Sequence, residues 1–201
     1  MELIFVALLG YFIGAVPFAF VIGKLFFHVD VRKHGSGNPG GSNTGRVLGK
    51  KAGLAVMTLD ILKVTLVVFL SMMISQHAYA MALGAVSAAI GHCYPVFLKF
   101  RGGKAVAAMY GFFFGLWVCA GYSPVTFFLP LVTFLVVLYL FKIVALSSMS
   151  SAVAGVIYIC CVSDNFSVKV AAAVFALLII LRHRENMHRM IRGNENKIHW
   201  M

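Results

Sequence analysis

The chain has 201 residues, of which 61% are hydrophobic and only 11% are charged, and its mean hydropathy is +0.94. Soluble domains carry about a quarter charged residues, so this composition excludes an ordinary soluble protein and indicates a polytopic membrane protein. The net charge of +11 is expected to orient the chain and to attract anionic lipid headgroups of the bilayer, with no nucleic-acid partner.

Seven apolar runs approach the roughly 20 residues that a membrane-spanning helix needs. They lie at about residues 3–27, 53–75, 78–98, 104–121, 124–141, 144–162 and 166–182. The first run follows Glu2 rather than a basic segment and is too long for the apolar part of a signal peptide, so we expect a retained helix. We therefore predict an all-α membrane bundle of about seven transmembrane helices, forming a single domain over residues 1–201.

The basic residues are distributed unevenly among the predicted loops. The links after the second, fourth and sixth runs contain no lysine or arginine. Alternating the loops across the membrane places 14 of the 17 basic residues on one side: Arg32, Lys33, Arg46, Lys50, Lys51, Lys99, Arg101, Lys104, Lys142, Arg182, Arg184, Arg189, Arg192 and Lys197. The positive-inside rule predicts that this side is cytoplasmic, with the N-terminus outside and the C-terminus inside.

Motif 1, "HGSGNPGGSNTGRVLGKK" at residues 34–51, combines glycines with short polar side chains and cations. Glycine lets the backbone approach another group closely, and the planar guanidinium of Arg46 suits phosphate. Glycine-rich backbone beside cations commonly binds phosphate through its amides. A flexible loop is the alternative interpretation.

Motif 2 is "GHCYPVFLKFRGGKAVAA" at residues 91–108. It lacks the spacing of a Walker A loop. Gly102 and Gly103 precede Lys104 at the predicted start of a helix, where free amides and the helix dipole favour an anion. His92 is either a base or a hydrogen-bonded residue at a helix end.

Motif 3, "RHRENMHRMIRGNE" at residues 182–195, follows the last apolar run. If it is helical, Arg182, Asn186 and Arg189 share one face, and His183 lies three residues before Asn186. A solvated basic helix beside the membrane is the default interpretation. The occurrence of three such motifs on one predicted membrane face favours a shared site for anions.

Asp60 and Lys63 are charged residues inside the second apolar run. They are three positions apart, so they can pair on one helix face. Charged residues inside membrane segments usually face the bundle interior or a polar cavity. We therefore expect Asp60 and Lys63 to have a structural role in such a cavity.

The segments "GSGNPGGSN", "GHCYPVFLKFRGGKAVA" and "RHRENMHRMIRGNE" resemble, in order, the three cytoplasmic motifs of the bacterial acyl-phosphate-dependent glycerol-3-phosphate acyltransferases. The intervening "LGKKAGLAVMTLDILK" also fits that family. The chain departs from the common pattern at Ser42, which keeps a hydroxyl, and at Ala105 and Ala108, where glycine and threonine are usual.

The resemblance implies transfer of an acyl group from acyl phosphate to the 1-hydroxyl of glycerol 3-phosphate. The products would be 1-acyl-glycerol 3-phosphate (lysophosphatidic acid) and phosphate, in the first acylation of phospholipid synthesis. It also implies a multi-pass protein of the bacterial inner membrane with a cytoplasmic active site. No metal or other cofactor is expected, and the soluble enzyme that makes acyl phosphate is an implied partner.

The resemblance assigns roles to residues of the three motifs. The expected catalytic residues are His183, Asn186, Ser36 and Arg46. The expected substrate-binding residues are Asn38, Gly40, Asn43, His92, Gly102, Gly103, Lys104, Ser147 and Ser148. Ser147 and Ser148 have an equal alternative as a polar cap opening the sixth helix. The general base is His183, His92 or the phosphate of the substrate itself, and the sequence does not choose among them.

Two other classes of protein compete with the enzyme. A transporter of a phosphorylated metabolite would place its site near the membrane midplane, often between inverted repeats, whereas the polar residues here cluster on one face. A non-catalytic protein that gathers anionic lipid would need the charge but not the glycine and asparagine spacing. Neither class accounts for three ordered motifs.

Overall fold

The computed structural model describes residues 1–198, in which ten α-helices and two short 3-10 turns occur without a strand. The helices are α1 (Glu2–Ala15), α2 (Phe18–Phe27), α3 (Gly41–Leu48), α4 (Lys50–Ile74), α5 (Ala78–Cys93), α6 (Val106–Ala120), α7 (Val125–Phe141), α8 (Val144–Val162), α9 (Phe166–Arg182) and α10 (Arg184–Ile191). The prediction of an all-α fold is confirmed.

Each of the seven predicted apolar runs contains at least one of these helices, but not all of them reach the length of a span. Among the described residues, four segments are long and apolar enough to cross a membrane, and a fifth is obtained if α9 and α10 form one span bent by 55°. The four are Glu2–Phe27, Lys50–Ile74, Ala78–Leu98 and Val144–Val162. Helices α6 and α7 are apolar but shorter.

The first predicted helix is broken into α1 and α2 at Pro17. Proline has no backbone N–H, and its ring clashes with the preceding helical turn. Helix α1 therefore ends at Ala15, and α2 begins at Phe18. The break leaves the carbonyl of Val16 without the backbone N–H that would bind it in a continuous helix. The predicted span over residues 3–27 is thus found as one membrane-spanning segment, Glu2–Phe27, with a break at Pro17 that was not predicted.

Small residues let four of the helices, α1, α3, α4 and α5, approach one another closely. A Cβ atom on Gly14 of α1 would lie 2.1 Å from the carbonyl oxygen of Ala88 of α5, and one on Gly53 of α4 would lie 2.6 Å from the Cα of Gly45 of α3. Such contacts are typical of helices that pack within membranes. They bring the ends of α1, α3, α4 and α5 together.

The core beneath these ends is apolar. The rings of Phe112 in α6 and Phe175 in α9 stack with centroids 5.2 Å apart, and both side chains are fully buried. Many large apolar side chains face outwards instead, among them Phe69, Val132 and Leu177. An apolar exterior of this kind suits contact with lipid.

Candidate functional site

The loop of motif 1 is organised by the buried side chain of Asn43. Its Nδ2 donates to the carbonyl oxygens of Val31 (2.9 Å) and His34 (3.1 Å), and its Oδ1 accepts from the backbone N–H of Ser36 (2.8 Å). Both amide hydrogens and the carbonyl oxygen are therefore used within the loop. Asn43 holds the loop in shape through these three contacts, and its predicted contact with phosphate stays a prediction.

Motif 1 is part loop and part helix rather than a wholly flexible segment. Gly35 has φ +59°, and a Cβ atom there would lie 2.4 Å from Oδ1 of Asn43, so this position requires glycine. The Gly40 N–H donates to the carbonyl oxygen of Asn38 (2.9 Å) just before α3 begins. The side chains of Ser36 and Arg46 are exposed, and that of Asn38 is half-buried. These three remain accessible to a ligand.

Asp30 and Arg32 connect this loop to α2. The Arg32 guanidinium donates from Nε to Oδ1 (2.9 Å) and from Nη2 to Oδ2 (2.8 Å) of Asp30, and it lies 4.7 Å from the ring centroid of Phe20. The hydrogen bond from Arg32 lowers the pKa of Asp30 to about 2. The paired charges fix the start of the loop beside the membrane helix.

Asp60, Lys63 and His92 form a buried polar cluster below the loop. Lys63 Nζ lies 2.6 Å from Oδ1 of Asp60, so the predicted pairing of these two residues is confirmed. The same Nζ donates to the carbonyl oxygen of Val16 (2.9 Å) and lies 3.2 Å from Nδ1 of His92. The ammonium group thus has one ionic contact and two hydrogen-bond partners, and Oδ1 of Asp60 accepts no hydrogen bond from the described residues in this arrangement. His92 is a hydrogen-bonded residue at the end of α5, as one of the two predicted interpretations holds.

The glycine pair of motif 2 is fixed through its backbone. The N–H groups of Gly102 and Gly103 donate to the carbonyl oxygens of Cys93 (3.0 Å) and His92 (2.9 Å). Their own carbonyl oxygens accept from Nη2 (2.9 Å) and Nε (3.1 Å) of Arg182. The amides that the sequence predicted as free for an anion are therefore occupied, and helix α6 begins only at Val106. The expectation of free amides at these glycines is therefore wrong, and their predicted part in binding substrate stays a prediction.

Lys104 joins motif 2 to motif 3. Its Nζ donates to Oδ1 of Asn186. The Nδ2 of Asn186 donates to Oε1 of Glu195 (2.7 Å), whose Oε2 accepts from Nε of Arg189 (2.8 Å). Burial lowers the pKa of Lys104, and the neighbouring Arg189 acts in the same direction. The result is a half-buried lysine held against the polar face of α10.

His183 lies at the bend between α9 and α10. Its side chain is buried, and Nδ1 lies 2.8 Å from the carbonyl oxygen of Ile179. Because a carbonyl can only accept, Nδ1 carries the hydrogen, and Nε2 of the neutral ring is left as an acceptor. The bend of 55° also places Arg182 and Asn186 on different helices, so the single continuous face predicted for motif 3 is wrong.

Ser147 and Ser148 lie within α8, apart from these contacts. Their hydroxyls donate to the carbonyl oxygens of Ile143 (2.8 Å) and Val144 (2.8 Å), one turn earlier. Both side chains are buried, and the N-cap position is Ile143. The alternative prediction of a polar cap is therefore wrong, and the hydroxyl hydrogens are used inside the helix.

The structure brings several of the predicted residues together at one end of the bundle. A small pocket is lined by Pro39 of motif 1, by Asp60 and His92, by Gly102 and Gly103, and by the break between α1 and α2. Motif 3 contacts motif 2 from another direction through Arg182 and Asn186. Among residues 1–198, no three His, Cys, Asp or Glu side chains are grouped so that they could hold a metal ion.

Two residues to which the sequence analysis gave no role, Arg182 and Glu195, contact the residues of motifs 2 and 3. Arg182 holds the glycine pair, and Glu195 accepts hydrogen bonds from both Asn186 and Arg189. Both lie within motif 3, and this position was the only sign in the sequence that they could belong to the site. Their partners could not be predicted, since Arg182 lies 79 positions from the Gly103 carbonyl it contacts.

The sequence matches known proteins along nearly its whole length. A family profile described as glycerol-3-phosphate acyltransferase matches residues 4–193. A protein named glycerol-3-phosphate acyltransferase from Geobacillus kaustophilus (strain HTA426) is 44% identical over 195 residues, which cover 97% of this chain and 95% of that protein. One of the same name from Staphylococcus aureus (strain Newman) is 41% identical over 210 residues and is covered completely, as is this chain.

The fold matches two crystal structures of PlsY, described as an integral membrane glycerol 3-phosphate acyltransferase. The glycerol 3-phosphate form has a TM-score of 0.91 at 31% identity, and the lysophosphatidic acid form has a TM-score of 0.90 at 30% identity. Each match covers 99% of this chain and 96% of the other. Sequence and fold agree, and the chain belongs to the integral membrane glycerol-3-phosphate acyltransferase family.

Proposed function

We propose that this acyltransferase moves an acyl group from acyl phosphate to the 1-hydroxyl of glycerol 3-phosphate, giving 1-acyl-glycerol 3-phosphate and inorganic phosphate. The observation that carries the proposal is the meeting of three polar, cation-bearing motifs at one end of an apolar bundle. Glycerol 3-phosphate and lysophosphatidic acid are named in the descriptions of the PlsY structures, and they are the acceptor and the product in this reaction.

An acyl phosphate suits a site of this composition. Two phosphate-bearing substrates must be held close together despite their mutual repulsion, and one of them has an alkyl tail that prefers the bilayer. Cations such as Lys104 and Arg46 beside an apolar bundle meet both requirements. The donor is a mixed anhydride with phosphate as its leaving group, so it requires neither a nucleophilic residue nor a metal ion.

Residues of all three motifs are assigned roles, those of motif 1 from the accessibility of their side chains and those of motifs 2 and 3 from their contacts. Ser36, Asn38 and Arg46 would contact a phosphate group from the loop of motif 1, because their side chains are exposed or half-buried. Lys104 and Asn186 would hold glycerol 3-phosphate. His183, with Nε2 free to accept, would orient the hydroxyl or take its proton, unless the substrate's own phosphate does so.

We further propose that the chain is a single domain with seven spans, with its N-terminus outside and its C-terminus and active site on the cytoplasmic side of a bacterial inner membrane. The proposal rests on the one-sided distribution of basic residues. A soluble enzyme that makes acyl phosphate would then deliver the donor from the cytoplasm.

Labelling of single introduced cysteines tests this orientation in a background without the four native cysteines. Cysteines in residues 34–51, at position 101 and in residues 184–197 are expected to react only with reagent that reaches the cytoplasmic side. Cysteines in the links after α4 and after α8 are expected to react from outside. Opposite sides for motif 1 and motif 3 would contradict the proposed site.

The donor is tested with purified protein in detergent or lipid cubic phase. Glycerol 3-phosphate and long-chain acyl phosphate are expected to give the 1-acyl product with one phosphate released per product, equally with and without a chelator. Acyl-coenzyme A is expected to be a poor donor. A folded preparation that used acyl-coenzyme A better, or that moved glycerol 3-phosphate across sealed vesicles without acylating it, would contradict the proposal.

A further inference from the structure

We propose that Asp60, Lys63 and His92 form a buried positioning unit that sets the place of Gly103 and so of the neighbouring Lys104 side chain. The role rests on the proposed function, in which Lys104 holds glycerol 3-phosphate. None of the three residues needs to touch the substrate. They would act through the backbone of motif 2.

Lys63 is held by contacts with three parts of the fold. Its ammonium group has three donors and no acceptor, and its three partners come from three parts of the fold: Asp60 on its own helix, the Val16 carbonyl at the break between α1 and α2, and His92 at the end of α5. In a continuous helix the N–H of Phe20 would donate to the Val16 carbonyl, but here it donates to the carbonyl oxygen of Pro17 (3.0 Å). Lys63 therefore satisfies a carbonyl that the broken helix leaves without a helical partner.

Lys63 in turn fixes the orientation of His92. Because Lys63 can only donate, Nδ1 of His92 accepts, and the hydrogen of the neutral ring is on Nε2. The distance of 3.6 Å between Nδ1 and Oδ1 of Asp60 is too long for a hydrogen bond between them. The imidazole is thus held by the lysine in one tautomer and one orientation.

The imidazole of His92 packs against the glycine pair. A Cβ atom on Gly103 would lie 2.0 Å from Nε2 of His92, so the ring lies directly against the Gly103 backbone. The carbonyl oxygen of His92 also accepts the N–H of Gly103 (2.9 Å). Side chain and backbone of the same histidine therefore locate Gly103, while Arg182 holds the opposite side of the pair. Lys104 follows at once in the chain.

Two variants of His92 separate positioning from catalysis. In His92→Asn, the side-chain oxygen can take the place of Nδ1 as the acceptor for Lys63, whereas His92→Leu accepts nothing. We expect the KM for glycerol 3-phosphate to stay within about threefold of wild type in His92→Asn and to rise about tenfold in His92→Leu, since a misplaced Lys104 loses a charge-assisted contact. The KM for acyl phosphate and kcat are expected to change less.

A third variant controls for stability. Replacing a whole buried polar group by apolar residues of similar volume is often neutral, so Asp60→Leu/Lys63→Met/His92→Leu is expected to fold and still to show the raised KM. A loss of kcat in both His92→Asn and His92→Leu would overturn the proposal and make His92 the general base. A wild-type KM in folded His92→Leu or in the triple variant would overturn it and leave only a structural role.

The wild-type enzyme, assayed in the same preparation, separates a failure of the positioning role from a failure of the proposed function. Turnover by wild type with unchanged KM in the variants contradicts positioning alone and leaves the proposed function intact. If the wild-type enzyme makes no product from acyl phosphate and glycerol 3-phosphate, the proposed function fails, and the positioning role fails with it.

Discussion

Replacing Lys104 by alanine is expected to lower kcat/KM for glycerol 3-phosphate by about 10- to 150-fold, the factor that corresponds to a charge-assisted hydrogen bond of about 1.5 to 3 kcal/mol. The lysine is half-buried, and the backbone before it has every N–H and carbonyl of the glycine pair engaged. No neighbouring segment can therefore move easily to replace the lost cation. The measurement is steady-state kinetics at limiting glycerol 3-phosphate.

Two further variants show whether the position or only the charge matters. Arg101→Ala removes a cation from the same loop, but its side chain is exposed, so the kinetics are expected to remain close to wild type. Lys104→Arg keeps the charge with a different geometry, since a guanidinium is a planar fork and not a compact ammonium, and is expected to lie between wild type and Lys104→Ala. Kinetics of Lys104→Ala that matched those of Arg101→Ala would contradict a specific role for Lys104.

The positions of long helices could be predicted because hydrophobic runs with polar ends have few alternatives in a membrane protein. Runs 144–162 and 166–182 reappear as α8 and α9 with the same bounds. The break at Pro17 could also have been suspected from the sequence, because proline inside a helix removes a hydrogen bond. The apolar character of residues 3–27 concealed it, since composition does not record backbone hydrogen bonds.

The site was predictable as a set of residue types but not as a set of contacts. Glycine beside lysine suggested an amide site for phosphate, yet the amides of Gly102 and Gly103 bind α5. Asn43 was expected to touch the ligand, whereas it holds the loop that presents Ser36. Both sets of contacts escaped prediction for one reason: local sequence shows that a polar group needs a partner, while the fold alone decides which partner it finds.

The pairing of Asp60 with Lys63 was predictable for a stronger physical reason. Two opposite charges three residues apart in an apolar membrane helix cannot be hydrated, so contact with each other has the lowest free-energy cost. The additional contacts of Lys63 with Val16 and His92 join residues 47 and 29 positions apart. Contacts between residues so far apart in the chain could not be predicted from the sequence. They determine how much the Asp60–Lys63 pair contributes to the stability of the fold.

Removing either member of this pair alone is expected to destabilise the protein by about 3 to 5 kcal/mol, because the other charge is left buried without its partner. In Lys63→Met, the Asp60 carboxylate loses its cation, and the Val16 carbonyl and His92 lose a donor. The measurement is thermal unfolding in detergent. Lys169→Met, which removes a half-buried lysine from α9, is the matched control and is expected to change stability far less.

The double variant Asp60→Asn/Lys63→Met distinguishes an ion pair from two independent contributions. With both charges absent, the cost of burying them disappears, and what is lost is the hydrogen bonding of Val16 and His92, about 1 to 3 kcal/mol for each unsatisfied group. Its destabilisation should therefore be clearly smaller than the sum of the two single variants, a coupling that double-mutant cycles detect between contacting residues. Strict additivity, or unchanged thermal stability in Lys63→Met, would show that the 2.6 Å contact between Nζ and Oδ1 contributes little and that packing alone holds α4 against α1 and α5.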